Sequence, residues 1–225
     1  MCGRFVRSSP LTTIIEIFHA SPASVELSPS YNIAPSQDII IINETGKREL
    51  VRCRWGFLPP WIKDLSEGSP MINARAETLD EKPSFKDAFK KQRCLIIADG
   101  FYEWKRDSKK KIPYYIRLKS GKPFAFAGLY HYSALPDGKR ICGCAIITTE
   151  SNDLVAAIHN RMPVIVPEVK VDMWLDPVSE DYKVLKSILC PYPPDEMEMF
   201  RVSDVVNSPK FDSDRNILPM EDNNQ

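Results

Sequence analysis

Cys94-Leu95-Ile96-Ile97-Ala98 runs without a polar residue straight into Asp99-Gly100-Phe101-Tyr102-Glu103-Trp104. An apolar run of this length, closed by an Asp-Gly turn signal, reads as a buried strand followed by an aromatic-rich segment. Similar signals lie on both sides of it. Upstream, Asp38 to Ile42 is a β-branched strand, Asn43-Glu44-Thr45-Gly46 a turn, and Glu49 to Trp55 a returning strand with polar and apolar residues alternating. Downstream, strands are expected at Tyr114–Leu118, Phe124–Leu129 and Ile141–Thr148, separated by turns at Ser120-Gly121 and Pro136-Asp137-Gly138, with further strands at Val164–Val166 and Glu198–Val202. Helical signals are interspersed. Ser9-Pro10 caps and opens Leu11–Phe18, Phe85–Arg93 reads as a short helix, and Ser151 caps a helix running through Ile158 to His159. Pro167 opens another through Trp174, and Asp181–Leu189 makes the last. Strands scattered along the whole chain with short helices between them give an α+β class, one domain over residues 1–225, and a curved or barrel-like mixed β-sheet. The polar tail from Asp212 onward is expected to fray.

Composition narrows the function classes. The 225 residues are 43% hydrophobic and 27% charged, with thirty basic residues balancing thirty acidic ones. A neutral chain has no overall attraction for polyanions, so nucleic-acid binding would have to come from a local patch. Nineteen prolines against nine glycines point to many fixed turns. The first ten residues carry no apolar core of the kind a secretion signal needs, and no apolar run is long enough to span a membrane. A cytoplasmic protein is expected, with six free thiols rather than disulfides. Cys142-Gly143-Cys144 has no second ligand pair near it in sequence, so no metal and no cofactor are expected.

The chain opens Met1-Cys2-Gly3-Arg4-Phe5. Loss of Met1 would leave a cysteine with an α-amine and a thiol on adjacent carbons. The amine titrates near ~7.7–8.0 and a free thiol near ~8.5, so both are partly nucleophilic at neutral pH. Such a pair can capture an aldehyde: the amine forms a Schiff base, and the thiolate closes a five-membered thiazolidine on the same carbon. Intramolecular attack of this kind reaches effective molarities of roughly 10⁵ M or more. The plain alternative is that Cys2 is a small buried hydrophobe.

Four further segments place polar residues among apolar ones. Asn73 and Arg75 lie in Met71-Ile72-Asn73-Ala74-Arg75-Ala76-Glu77, Glu103 lies between Tyr102 and Trp104, His159 ends a helical stretch, and Arg161 follows it. Each also has a structural reading: Asn73 as a turn residue, Glu103 as a solvated strand end, His159 as a helix cap, the arginines as surface charge. A helix C-terminus would also favour the imidazolium and suit His159 to proton donation. The basic run Lys105–Lys111 reads as a solvated loop, with a phosphate contact outside the main groove as the alternative.

Together these segments resemble the SRAP family, the SOS response-associated peptidases or abasic-site-processing proteins. The matching pieces are Met1–Phe5, Tyr31–Pro35, Trp55–Trp61, Ile72–Glu77, Ala98–Trp104 and Ile158–Pro163, in the family's order, with Val202-Ser203 and Val206-Asn207 like its closing segment. The barrel-like form of the sheet rests largely on this resemblance. It implies covalent capture of abasic sites in single-stranded DNA, with single/double-strand junctions as further targets. Residue by residue, it implies Cys2 as nucleophile, Asn73 holding the amine or adduct, Glu103 shuttling protons, and His159 protonating the sugar oxygen. It also implies Arg4, Arg75 and Arg161 on flanking phosphates, with Trp61 and Phe101 stacking on neighbouring bases. Relatives often carry another aromatic after the position of Trp61; here it is Ile62, so a smaller or differently built stacking platform is expected. The protein is expected to be a monomer, nucleoid-associated when on DNA. Two other functions compete: a thiol peptidase, acting chiefly on its own Met1, and a non-covalent binder of single strands or junctions.

Overall fold

A computed structural model describes residues 2–21, 28–62, 69–108, 110–134, 140–179 and 181–220. The element order begins β1 (Phe5–Arg7), α1 (Leu11–Phe18), β2 (Ser30–Ile33), β3 (Asp38–Glu44), β4 (Arg48–Trp55) and β5 (Asn73–Arg75). It continues with α2 (Pro83–Lys91), β6 (Arg93–Ala98), β7 (Gly100–Asp107), β8 (Lys110–Leu118), β9 (Phe124–Ala134) and β10 (Arg140–Glu150). The last elements are α3 (Asp153–Ala156), β11 (Arg161–Pro163), α4 (Val171–Leu175), α5 (Tyr182–Lys186) and β12 (Met197–Arg201).

Five strands close on themselves. β10 pairs with β4, β4 with β3, β3 with β6, β6 with β9, and β9 returns to β10. The β10–β4 pairing is parallel and the others antiparallel, so the barrel is mixed. A second, open sheet runs β12-β8-β7-β1-β2 and is antiparallel throughout. The α+β class with a barrel-like mixed sheet and short flanking helices is therefore what the chain adopts.

All six residues of β6 are buried, as the Cys94–Ala98 run demands. Alternate side chains serve two apolar clusters, because successive residues of a strand point to opposite faces. Leu95 and Ile97 join a cluster with Ile14, Phe89 and Trp174 from the helices. Cys94, Ile96 and Ala98 join one with Phe5, Phe101 and Ile116 from the open sheet.

The passage from barrel to open sheet happens at Asp99-Gly100. Asp99 Oδ2 accepts from the amides of Ser8 (2.6 Å) and Ser9 (3.0 Å), and Oδ1 from the Ser9 hydroxyl. A Cβ on Gly100 would collide with the Tyr115 ring, so only glycine lets β7 pass so close to β8.

Several local expectations are corrected. Ser9 does not cap α1, because its hydroxyl is committed to Asp99; Pro10 stands at the N-cap with no side-chain cap bond. Asn152 rather than Ser151 caps α3, accepting from the Val155 amide at 3.0 Å, and the helix stops at Ala156. The strand expected at Val164–Val166 is Arg161–Pro163 instead, with only an isolated bridge from Ile165 to Phe126. Lys105–Lys111 is not a loop: Lys105, Arg106 and Asp107 end β7 and pair with Lys110, Lys111 and Ile112 of β8.

The thiol expectation fails at one pair, since Cys53 and Cys142 form a disulfide. The parallel β4–β10 register sets Gly143 opposite Arg54 and thereby brings the two preceding cysteines together. Cys2, Cys94, Cys144 and Cys190 are free. Within residues 212–220, Asp212 accepts from Ser30 and Tyr31, and Asn216 is buried. The turn expected at Pro136-Asp137-Gly138 lies outside the described residues. No helix among the described residues is long and apolar enough to cross a membrane.

Candidate active site

The site gathers at the seam between the two sheets. In the β1–β7 pairing Phe5 faces Phe101, and the Tyr102 amide donates to the Arg4 carbonyl at 2.9 Å. Continued toward the chain start, this antiparallel register sets Gly3 against Glu103 and brings Cys2 beside it. Cys2 is fully buried. Its thiol is pushed far above the ordinary thiol range, mainly by burial and further by the charge of Glu103. This corrects the expectation of a partly ionised thiol, which assumed a solvated side chain.

Asn73 reaches the same point from the barrel side. β5 lies parallel to β10, with Asn73 opposite Ile146. The strand's approach is fixed by Trp55, whose indole nitrogen donates to the Ile72 carbonyl at 2.9 Å. Asn73 Nδ2 donates to the Cys2 carbonyl at 2.9 Å. Its Oδ1 is buried and has no hydrogen-bond partner among the described residues. A buried amide oxygen left unpaired costs roughly 1–3 kcal/mol, and an incoming N–H or O–H would recover it.

Glu103 is 3% exposed. Burial raises its pKa above the ordinary carboxylate value, while the charges of the amino terminus and of His159 oppose that rise. Its neighbours thus favour the ionised form and its surroundings the neutral one, as suits a group that exchanges a proton.

His159 follows α3, its amide donating to the Val155 carbonyl at 2.9 Å. Its Nδ1 accepts from the Arg161 amide at 3.0 Å and lies 3.1 Å from the Arg161 carbonyl. The Arg161 backbone thus fixes the orientation of the imidazole ring at Nδ1. At four residues, α3 is too short for its dipole to be the main influence on the ring.

Glu103 and His159 share one hollow of about 560 Å³ with Trp104, Arg106, Lys111 and Asn160. A neighbouring hollow of about 920 Å³ is lined by Arg75, Arg106, His159 and Arg161 among others. Because Arg106, His159 and Asn160 belong to both, the two form one groove.

The structure therefore brings Cys2, Asn73, Glu103 and His159 together and separates the expected contact residues. Arg75 is exposed on the groove wall. Trp61 is 55% exposed, with nothing placing it beside these four. Phe101 cannot stack on a base: it is fully buried, edge-on to Phe126 at 6.0 Å, because its strand parity points it into the core.

Arg4 donates to Asn32 Oδ1 (2.7 Å) and the Val206 carbonyl (2.9 Å), so its guanidinium is largely occupied. Arg161 makes a bidentate pair with Glu77 (2.5 and 3.0 Å) and reaches the Thr148 carbonyl at 2.6 Å. That pair ties the Asn73 segment to the His159 segment. Asn32 acts as a clasp, donating to the carbonyls of Val206, Ser208 and Phe211. The sequence reading missed Arg106 and Asn160 as groove residues. Arg106 was hidden in a charge run, and only the strand pairing shows which way it faces.

Comparisons with known proteins identify the family and the fold. The family model for SOS response associated peptidase (SRAP) matches residues 1–209. The abasic site processing protein YoqW of Bacillus subtilis is 51% identical over 95% of this chain and 97% of its own. The abasic site processing protein HMCES of Xenopus tropicalis is 29% identical over 82% of this chain and 64% of its own. A crystal structure of a protein from Bacteroides thetaiotaomicron superposes with a TM-score of 0.88 at 26% identity, covering 97% of this chain and all of that one. With a family model matched over nearly its whole length and a relative sharing half its residues, the chain belongs to the SRAP family.

Proposed function

We propose that this protein captures abasic sites in single-stranded DNA by a covalent bond from Cys2 once Met1 is removed. The observation that carries the reading is the convergence of Asn73, Glu103 and His159 on an otherwise sealed N-terminal cysteine. Relatives named abasic site processing proteins give the substrate its class.

The chemistry follows from the groups present. An abasic deoxyribose is in equilibrium with its ring-opened aldehyde. His159 gives a proton to the ring oxygen, and the Glu103 carboxylate takes the proton of the C1′ hydroxyl, as the ring opens to the aldehyde. The Cys2 amine attacks C1′, and Glu103 in its protonated form gives its proton to the carbinolamine hydroxyl, which departs as water and leaves an iminium. The Cys2 thiol then passes its proton to the Glu103 carboxylate, Sγ bonds to C1′, and the C=N electron pair returns to nitrogen. A thiazolidine results, with one water lost overall. Asn73 holds the Cys2 carbonyl through Nδ2 and offers its unpaired Oδ1 to the new N–H or hydroxyl.

Burial of the thiol fits this order. A neutral thiol is a poor first nucleophile, but it needs only to close a ring on an adjacent iminium. The same burial counts against a general thiol peptidase, whose nucleophile must be open to a polypeptide substrate. Arg75 and Trp61 supply strand contacts to phosphate and base.

The test is a denaturing gel and intact mass of the protein mixed with a single strand carrying one abasic site. A heat-stable band with the mass of protein lacking Met1 plus DNA, less one water, supports the reading. No band from protein whose Met1 is shown to be absent refutes it.

A further inference from the structure

The geometry points to the β7–β8 hairpin as a phosphate rail, in which Arg106 and Lys111 hold the DNA backbone along one wall of the groove. This rests on the reading that the groove takes a DNA strand and goes beyond it in saying which wall the backbone follows.

Three observations carry it. First, Arg106 and Lys111 are directly opposite each other in the β7–β8 register, and both line the hollow that holds Glu103 and His159. Like charges facing each other across a strand pair destabilise it, and side chains at facing positions lie on the same face. The rest of the hairpin shows no such conflict. Asp107 faces Lys110, an opposite-charge pair, and Lys105 faces the apolar Ile112. The one repulsive pairing is thus the one that points into the groove, where an anion between the two cations would relieve it.

Second, Arg106 is shared with the adjoining hollow that holds Arg75. Arg75, Arg106 and Lys111 therefore form a cationic line on the groove wall, although the chain as a whole is neutral. Third, none of the three side chains is committed to a carboxylate among the hydrogen bonds and ion pairs described, in contrast to Arg161 with Glu77. Glu150 is the one carboxylate of the adjoining hollow, and Glu103 the one of the first. Strand parity supplies an internal control: Lys105 lies one residue from Arg106, and Lys110 one from Lys111, so each is turned to the other face of the hairpin.

The experiment measures binding of an intact, non-abasic single strand to the full chain by fluorescence anisotropy over a series of salt concentrations. Each phosphate neutralised on a single strand contributes about 0.7 to the slope of log affinity against log salt. R106A/K111A is expected to lower that slope by about 1.4, and K105A/K110A by less than half as much. R106K/K111R should restore most of the wild-type slope. Equal losses from the two alanine pairs would overturn the rail, since they would mean a diffuse charge effect, and so would an unchanged slope in R106A/K111A. Intact DNA cannot form the Cys2 adduct, so this result stands apart from the crosslinking test. A reduced slope with no abasic capture would keep the rail and sink the chemistry.

Discussion

The closed barrel and the open sheet solve different problems. In the barrel, β6, most of β9 and most of β10 are buried along their length, and alternate residues feed one apolar cluster or the other. In the open sheet, β7 begins buried at Gly100–Glu103 and ends exposed at Lys105–Asp107. The barrel is a frame with no free edge, whereas the open sheet runs from core to solvent within a single strand. The site lies where they meet. Cys2 and Glu103 come from the open sheet, and Asn73 and His159 from short segments attached to β10 of the barrel. Rigidity and access thus come from different sheets, and each side supplies half of the reacting groups.

The sharpest way to break this division is to remove the thiol. Cys2→Ala should abolish the stable adduct altogether while leaving an α-amine that forms a Schiff base, trapped only when borohydride is present. A stable adduct from Cys2→Ala without reductant would mean that another residue is the nucleophile.

Next in size is Glu103→Gln, expected to slow adduct formation by about 10²–10⁴-fold, the usual worth of a general acid–base group. The pH profile adds a sign. Burial raises the Glu103 pKa, so the wild-type rate should fall as pH drops through a value above the ordinary carboxylate range. That acid limb should disappear in Glu103→Gln, leaving a rate that is low and flat there. A limb that persists in the variant would belong to some other group.

The frame can be tested separately. Ile96→Ala, in the fully buried β6, should cost about 2–5 kcal/mol in chemical unfolding, because the closed barrel cannot collapse into the cavity. The open sheet should respond far less. Arg117 on β8 pairs with Glu198 on β12 at 2.6 Å, with both side chains about two-fifths exposed. Arg117→Ala should cost less than about 1 kcal/mol in the same measurement. Comparable losses from the two substitutions would erase the distinction between frame and open sheet.

Strands such as Asp38–Ile42 and Cys94–Ala98, and the helix at Leu11–Phe18, were legible because buried periodicity is written locally. The class, the candidate nucleophile and the kinship to one family were legible in the same way, from motifs carried by Met1–Phe5, Ile72–Glu77 and Ile158–Pro163. Legibility ended where a residue has two competing partners. Ser9 carries a capping signal, yet Asp99, ninety residues later in the chain, takes its hydroxyl. Phe101 reads equally well as a stacking ring or a core ring, and strand parity decides for the core. Arg161 reads as a phosphate ligand until Glu77 is brought against it.

By itself, then, the sequence determined the long apolar strands such as Asp38–Ile42 and Cys94–Ala98, that one cysteine can carry an amine and a thiol together, and which polar residues stand among apolar neighbours. Only the tertiary structure decided that Cys2, Asn73, Glu103 and His159 meet, that the Cys2 thiol is sealed and neutral, that Cys53 finds Cys142, and that Arg106 faces the groove. The reason is the range of the forces involved. Propensity and periodicity act over a few residues and leave their mark on the local string. Burial, charge and register act between segments far apart in the chain, and they take effect only once two sheets have met.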